Sequence, residues 1–333
     1  MRKSQQPFTH SFIVVTYNQA AFVKAALDSI LNEDVLPDEM IIGDDASTDG
    51  TQGILDEYQK KFPEIIKLVL QEKNCGIFEN LNTLTSLPQG DFVHFLAGDD
   101  IYAPGYIDNV NRFVLGNGID PRSESFVLIP HVYIDLPDGR RKIHKCTESQ
   151  VRQGTPLSLG LREKITYRYT GISRAAFVNW PLYPTDSEEI GVYADRLQWI
   201  HFLQYVARLI PAPFPGNIYR AGVGISARTN ARTQQISYLN SLNAIKELAK
   251  HGSITLSPAD STFLNFEIAF RKAILDPGVR QYMELAVRSA ELLFASPGDI
   301  PTMSMMFAKQ LIRTPFYYML RNVVSNATRA LRS

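Results

Sequence analysis

The chain has 333 residues, of which 45% are hydrophobic and 20% charged, and its formal net charge is zero. These values are ordinary for a globular protein and exclude a strong bulk attraction to nucleic acid. The two cysteines, Cys75 and Cys146, do not indicate a disulfide framework and favour a reducing, cytoplasmic setting. No stretch approaches the roughly 18 apolar residues of a membrane span.

Four short apolar runs alternate with amphipathic segments in the first hundred residues. The runs begin at Phe12, Ile41, Lys67 and Phe92 and are predicted strands, while the segments between them place apolar residues at helical spacing. Asn18 is the expected cap of the first helix. The alternation predicts βαβ units in an α/β fold, with a doubly wound, mostly parallel sheet and helices on both faces.

The pattern changes after the fourth strand. A hairpin is predicted around residues 137–139 (Pro-Asp-Gly), and a long helix over 192–210 that three alternate prolines, beginning with Pro211, bring to an end. Strand patterns fade from about residue 234. We therefore expect two domains, a catalytic one at 1–230 and a helical region at 231–333.

Polar or acidic side chains follow each predicted strand, at the edge where open α/β sheets bind ligands. In chain order they are Thr16-Tyr17-Asn18, Asp44-Asp45, Asn74 and Asp99-Asp100. A tyrosine ring can stack on a base, a carboxylate can accept the imide N–H of uracil or thymine, and paired carboxylates can share Mg²⁺ with phosphates. Each cluster alone is equally typical of a turn or a helix cap. Together they indicate a site for a nucleotide that carries a diphosphate.

These clusters resemble the successive motifs of family 2 glycosyltransferases of the GT-A fold. The matching stretches are IVVTYN at 13–18, IIGDDASTDGT at 41–51, NCG at 74–76 and FLAGDD at 95–100. The resemblance covers roughly residues 8 to 226. It implies a GT-A-type sheet with a Rossmann-like half and an acceptor half, and a sugar-nucleotide donor; the carboxylates that could accept an imide N–H favour the UDP or dTDP type.

The clusters and the resemblance together define a predicted donor site. Its residues are Thr16, Tyr17, Asn18, Asp44, Asp45, Asn74, Asn82, Asp99 and Arg220. The resemblance assigns a divalent metal, Mn²⁺ or Mg²⁺, to Asp99 and Asp100. It also assigns residues 171–174 to the sugar and acceptor side.

Asp195 matches the general base of inverting members of the family. It also lies in the first turns of a predicted helix, where free N–H groups and the helix dipole stabilise a carboxylate. An ordinary N-terminal helix acid would look the same, and Glu188 and Glu189 are nearby rivals.

Three residues depart from the family pattern. Ala97 replaces an aspartate before the carboxylate pair, Ala194 replaces a glutamate before the candidate base, and Gly222 stands where many relatives have histidine. The last two changes raise the expectation of a weakened enzyme.

The sequence thus predicts a metal-dependent, inverting transferase that moves a hexosyl or similar sugar to a hydroxyl of a glycan or lipid-linked acceptor, in surface polysaccharide or glycan biosynthesis. The alternative is a sugar-nucleotide-binding protein with weak or no transfer. Nucleotidyl transfer, which would release pyrophosphate, is disfavoured because residues 16–23 are not a basic, glycine-rich loop.

Residues 301–333 contain five basic and no acidic residues among apolar ones. Such a segment suits contact with the inner face of an anionic membrane. It suits equally a helix packed on its own domain or on a partner subunit.

Overall fold

A computed structural model describes residues 6–163, 171–182, 191–224 and 229–295. The chain divides into two compact units, Met1–Asn230 and Ala231–Ser333. In the first unit the described strands form one sheet in the order β3-β2-β1-β4-β8-β6-β9-β5, with β7 paired to β6. The strands are β1 (His10–Thr16), β2 (Glu39–Asp44), β3 (Ile66–Leu70), β4 (Phe92–Ala97), β5 (Ile101–Tyr102), β6 (Phe126–Asp135), β7 (Arg141–His144), β8 (Gly171–Ser173) and β9 (Arg208–Arg220).

The helices of the first unit follow the predicted alternation with the strands. They are α1 (Val23–Leu31), α2 (Thr51–Lys61), α3 (Ile77–Thr85), α4 (Tyr106–Gly116), α5 (Glu148–Val151), α6 (Pro156–Leu161), α7 (Arg174–Phe177) and α8 (Ala194–Leu203). The longer helices supply apolar faces for burial, and that burial rather than intrinsic propensity accounts for most of their stability.

The first half of the sheet is parallel, as predicted. β1 pairs in parallel with β2 and with β4, and β2 pairs in parallel with β3. Met40 and Ile42 pack into one core cluster with residues of α1, α2 and α4. Gly43 faces the other way, because a Cβ there would lie 2.5 Å from Leu84 of α3. Helices therefore cover both faces, and β8 then joins β4 in an antiparallel pair that leads into a mixed second half.

The predicted hairpin is confirmed as β6 and β7, but the predicted helix over 192–210 is correct only in its first part and wrong in its extent. The helix ends at Leu203, and a strand begins at Arg208 and runs through all three prolines. The pairing of β9 with β6 is irregular over the same stretch: Ile129 pairs with Pro211, His131 with Pro215 and Val132 with Asn217, so β9 has extra residues between these pairs. Proline has no N–H to donate and is tolerated in a sheet at such bulges and at edges. The prolines therefore lie where β9 departs from a regular ladder.

Asn18 does not cap the first helix. Phe22 precedes that helix, whereas Asn18 has a left-handed backbone with φ of 49°. Its side-chain Oδ1 accepts a hydrogen bond from the Thr48 N–H at 2.9 Å, and its own N–H donates to Ser47 Oγ at 2.8 Å. Asn18 therefore ties the turn after β1 to the turn after β2.

The second unit is helical where it is described, as predicted. Its helices are α9 (Ala231–Lys250), α10 (Pro258–Leu275) and α11 (Val279–Ala295). Phe266, Phe270, Leu285 and Leu292 form the centre of its apolar core. No described helix has the length and hydropathy needed to span a bilayer. The predicted membrane or subunit contact through 301–333 concerns residues outside the described part of the chain.

A chain of hydrogen bonds crosses the core beneath β1 and β4. His10 Nε2 lies 3.0 Å from Asn111 Oδ1, His10 Nδ1 lies 3.0 Å from His94 Nε2, and His94 Nδ1 lies 3.2 Å from the Tyr106 hydroxyl. The amide oxygen of Asn111 can only accept, which fixes every donor along the chain if both rings are neutral. Burial lowers the pKa of His10 to about 4 and holds the pKa of His94 well below its usual value. Both rings are therefore neutral at physiological pH.

This network predicts a loss of stability in mild acid. The folded-state pKa values lie below the ordinary value of 6.5, so protons bind preferentially to the unfolded chain. The contribution is complete above pH 6.5 and is lost as the pH falls towards 4. We expect the free energy of unfolding from urea titrations to fall by a few kcal/mol across that range.

Two variants separate this network from other acid effects. His94→Gln should lower stability at pH 7.5 and flatten the slope between pH 6.5 and 4. His251→Gln changes a histidine whose side chain is 71% exposed and should keep the wild-type slope. An unchanged slope in His94→Gln would show that the buried pair does not cause the acid sensitivity.

Candidate functional site at the carboxyl edge of the parallel sheet

β1, β2 and β4 end at nearly the same register, so the turns that follow them lie side by side at one edge of the sheet. Thr16 pairs with Asp44, and Val15 pairs with Ala97. The ladder continues one step further, since the Asp45 N–H donates to Thr16 O at 3.1 Å and the Gly98 N–H donates to Val15 O at 3.0 Å. The sequence clusters that follow these strands are therefore neighbours in space, as expected of parallel strands.

Asp44 is a buried carboxylate whose hydrogen-bonding capacity is filled by its own turn. Oδ1 accepts from the Ser47 N–H and from Gln52 Nε2, both at 2.8 Å. Oδ2 accepts from the Thr16 hydroxyl at 2.8 Å and from the Ser47 hydroxyl at 2.6 Å. Four donors match the roughly four lone-pair sites of a carboxylate. Asp44 therefore shapes the turn and has no capacity left for a base.

Asp45 holds the predicted Asn-Cys-Gly turn and keeps one acceptor position. Its Oδ1 accepts from the Cys75 N–H at 2.7 Å and from Cys75 Sγ at 3.2 Å, and its Oδ2 accepts from the Gly76 N–H at 2.9 Å. Burial, and to a smaller extent the Asp45 carboxylate, raises the pKa of the Cys75 thiol to about 11. Three donors leave one lone pair of Oδ2 available, so of the two carboxylates Asp45 is the one able to accept from an imide.

Tyr17 and Asn74 are the exposed members of the site. The Tyr17 side chain is 43% exposed at the end of β1, although an aromatic ring normally gains from burial. Asn74 Oδ1 accepts from the Gly76 N–H at 3.2 Å, which stabilises the turn held by Asp45. An open ring face beside a carboxylate is the arrangement that a stacked base requires.

Asn82 lies on α3, partly buried, and sequence reasoning missed its neighbour Asn80. Asn80 is buried; its Nδ2 donates to Gly43 O at 3.2 Å, and its Oδ1 accepts from Gln71 Nε2 at 3.3 Å. It therefore fastens α3 to the end of β2. Helical spacing could have indicated Asn80 in the sequence, because it lies four residues before Leu84 and therefore on the same buried face of α3.

Asp99 and Asp100 follow β4 and are held by the returning end of β9. The Arg220 N–H donates to Asp100 Oδ1 at 2.9 Å. A Cβ on Gly224 would lie 2.5 Å from Asp99 Oδ2, and this glycine has a φ of +80° that other residues rarely adopt. The backbone after β9 thus lies directly against the carboxylate pair. The Arg220 guanidinium lies 5.7 Å from the centre of the Phe22 ring, at the start of α1.

The carboxylate pair suits a metal that is shared with a substrate. Among the described residues no group of three or more His, Cys, Asp or Glu side chains is placed to hold an ion. Two adjacent carboxylates are nevertheless the usual protein share of a Mg²⁺ site that phosphates complete. Asp99 and Asp100 therefore fit a cation that binds together with a diphosphate, and they do not form a self-sufficient metal cage.

Asp195 lies in the first turn of α8, as predicted. Its Oδ1 accepts from the Arg196 N–H at 2.8 Å. The Arg196 side chain is fully buried, donating from Nη2 to Leu161 O at 2.9 Å and lying 3.2 Å from Glu163. This arginine fixes the start of α8 to the end of α6, and so it positions Asp195.

An aromatic cluster fixes the same helix to β4. The Trp180 ring stacks on Phe95 of β4 with centroids 4.9 Å apart, and it contacts Trp199 and Phe202 of α8 at 5.3 and 4.6 Å. The strand that leads to Asp99 and Asp100 is thus joined through these rings to the helix that carries Asp195. Of the segment assigned to the acceptor side, Arg174 instead binds backbone, donating to Gly90 O and Pro88 O at 2.9 Å.

Gly222, one of the three departures from the family pattern, has a structural cause. Its φ is +85°, and a Cβ there would lie 2.8 Å from the Pro137 ring of the β6–β7 hairpin. A larger residue would strain the backbone and displace the hairpin. The glycine is therefore a requirement of this fold and is not by itself a sign of lost activity.

Comparison with known proteins supports the resemblance to family 2 glycosyltransferases. Residues 11–119 match the sequence profile described as glycosyl transferase family 2, which confirms the predicted resemblance over that part of the chain. The putative teichuronic acid biosynthesis glycosyltransferase TuaG of Bacillus subtilis is 34% identical over 105 residues, which cover 32% of this chain and 41% of TuaG. Matches to the first curated relatives span only 27% to 41% of their length.

Solved structures extend the likeness to most of the fold. Residues 1–349 of S. aureus TarS in complex with UDP are 18% identical with a TM-score of 0.56, over 87% of this chain and 81% of that TarS fragment. The mannosyltransferase PcManGT of Pyrobaculum calidifontis, in complex with GDP-Man and Mn²⁺, is 18% identical with a TM-score of 0.52, over 92% and 86% of the two chains. The GT-A-type fold with a helical C-terminal region is thereby confirmed.

Replacement of Asp44 tests whether its hydrogen bonds stabilise the turn after β2. Asp44→Asn replaces an acceptor by an NH₂ group that meets buried donors, and we expect it to cost about 2–3 kcal/mol of unfolding free energy in urea. Asp56→Asn, at a half-exposed side chain of α2, is the matched control and should change stability by less than about 0.5 kcal/mol. Equal stability of the two variants would mean that the Asp44 network does not organise the turn.

Proposed function

We propose, from the family 2 glycosyltransferase character of residues 11–119, that this chain transfers a sugar from a nucleotide-diphospho-sugar to an acceptor hydroxyl with inversion at the anomeric carbon. The observation that carries the proposal is that one edge of the parallel sheet brings together the Asp45 carboxylate, the exposed Tyr17 ring and the Asp99–Asp100 pair. The UDP bound to TarS supports a donor of the UDP type, with dTDP as the alternative that an imide acceptor also allows. The name of TuaG supports a role in glycan synthesis, which we extend to surface polysaccharide.

The donor would bind across the edge of the sheet. The base stacks on Tyr17 and donates its imide N–H to the remaining lone pair of Asp45. Thr16 and Asn74 define the walls through their bonds to the same turns. Asp99 reaches the ribose and Arg220 supplies positive charge beside the diphosphate. Asn18 and Asp44 shape the site, because their side chains hydrogen-bond to its turns and to α2. We assign Asn82 of α3 the same supporting role.

The transfer step assigns the base role to Asp195. The Asp195 carboxylate takes the proton of the acceptor hydroxyl while the hydroxyl oxygen forms a bond to the anomeric carbon. The bond from that carbon to the diphosphate oxygen breaks, and the nucleoside diphosphate leaves with the electron pair. Attack opposite the leaving group inverts the configuration. Proton transfer of this kind contributes about 10²–10⁴ in rate.

A divalent cation, Mn²⁺ or Mg²⁺, would be held by Asp99 and Asp100 and would supply Lewis-acid stabilisation of the charge on the leaving diphosphate. The chain's own part is to keep those carboxylates in place through the Arg220 N–H and the close backbone at Gly224.

Substitution of the proposed base should separate binding from chemistry. Asp195→Asn keeps the size and the hydrogen-bonding position of the side chain but cannot take a proton at neutral pH. We expect release of UDP from UDP-sugars, measured with a panel of acceptor glycans, to fall at least about 100-fold while the affinity for UDP stays within a fewfold of wild type.

Glu188→Gln and Glu189→Gln are the controls, since these glutamates are the rival candidates in the sequence; both lie outside the described residues. Retained turnover in Asp195→Asn together with its loss in a control would move the base role to that glutamate. A wild-type chain that binds UDP-sugars without releasing UDP on any acceptor would favour the non-catalytic binding protein.

A further inference from the structure

The hairpin formed by β6 and β7 presents a basic edge to solvent. Residues 140–145 read Arg-Arg-Lys-Ile-His-Lys, and all six are exposed. β7 is paired through β6 alone, so its outer side is an open sheet edge in the described structure. We call residues 140–145 the basic strand.

Half of this charge is compensated within the hairpin and half is not. Arg140 lies 2.6 Å from Asp138, and Arg141 lies 2.5 Å from Asp135 while covering the ring of Tyr133. Lys142 and Lys145 form no ion pair with any other residue that the structure describes. The basic strand therefore carries two positive charges available to a ligand, in a protein whose formal net charge is zero.

The basic strand begins at the rim of the candidate active site. The Ala221 N–H donates to Asp135 O at 2.9 Å, and Pro137 lies against Gly222. One residue earlier, the Arg220 N–H binds Asp100. The turn of the hairpin is thus attached to the segment that holds the carboxylate pair, and the strand leads away from it.

We propose that the basic strand binds the acceptor, and that the acceptor is a glycan chain with repeated phosphate or carboxylate groups. This inference rests on the proposed transfer function and specifies the chemical class of its acceptor. Strand geometry gives the four residues of β7 a length of about 13 Å, and Lys145 follows directly after its last residue, so Lys142 and Lys145 are spaced along one edge by about 10 Å. An extended polymer that lies along the edge meets both charges.

An anionic polymer fits this surface better than a membrane does. Membrane-surface binding combines basic residues with a broad apolar face, usually with several large side chains. Ile143 is the single apolar residue of the basic strand. A polymer, in contrast, needs only spaced charges and a continuous path to the reacting hydroxyl.

The test uses inorganic polyphosphate as a model polyanion and the full-length chain. Lys142→Glu/Lys145→Glu reverses both charges, and Lys61→Glu/Lys67→Glu makes the same change in net charge at exposed lysines of α2 and β3. We expect the first variant to bind polyphosphate at least about 20-fold more weakly at low salt, with a shallower salt dependence, and the control to match wild type. Hydrogen exchange should show protection of residues 138–147 by polyphosphate in wild type.

Other outcomes decide against the proposal. Equal weakening in both variants would mean non-specific attraction, as would protection confined to the basic residues of 301–333. Loss of binding to phosphatidylglycerol vesicles with unchanged polyphosphate binding would make the strand a membrane contact. Unchanged binding to both would leave the lysines as guards against strand pairing. UDP binding by wild type is measured separately, so failure of the donor site is distinguished from failure of this surface.

Discussion

The site depends on two buried carboxylates that hold three turns together. Asp44 gathers four donors from the turns after β1 and β2, and Asp45 binds the backbone of the turn before α3. A buried charge is costly unless hydrogen bonds satisfy it, and here seven donor contacts do so. The loops of the candidate donor site are thus set by the same hydrogen bonds that satisfy the two buried carboxylates. Preorganisation of this kind reduces the free energy that ligand binding would otherwise spend on ordering loops.

The two sides of the site are built in different ways. On the donor side, backbone donors and short polar side chains fix the turns. On the acceptor side, packing fixes α8, with Arg196 at its start and the Trp180 rings along its length. The β6–β7 hairpin joins the two through Gly222 and the carboxylate pair. The proposed transfer from a small donor to a long acceptor is consistent with a site that is fixed by hydrogen bonds on one side and lies along an open strand edge on the other.

Sequence reasoning succeeded where a local pattern determines the structure. Alternating apolar runs and helical periodicity located the parallel strands and the first helices, and adjacent strand ends implied that Asp45 and Asp99 share an edge. It failed where a tertiary partner decides. The three prolines of β9 predicted the end of a helix, because the sequence does not show the irregular pairing with β6 in which they lie. Asn18 was interpreted as a helix cap, because the sequence does not show its hydrogen bond to Thr48, thirty positions away. Asn80 was missed because its hydrogen-bond partner, Gly43, lies on β2, far from it in the chain.

The central claim is that the carboxylate pair after β4 and a nucleoside diphosphate bind one divalent cation together. Calorimetric titration of UDP into the full chain, in Mn²⁺ and then in EDTA, tests it most directly, with Asp99→Asn alongside wild type. The account predicts that Mn²⁺ strengthens UDP binding to wild type at least about tenfold and that Asp99→Asn removes this gain, a coupling of about 1.4 kcal/mol. Equal UDP affinity in Mn²⁺ and in EDTA, or an undiminished gain in the variant, would contradict it.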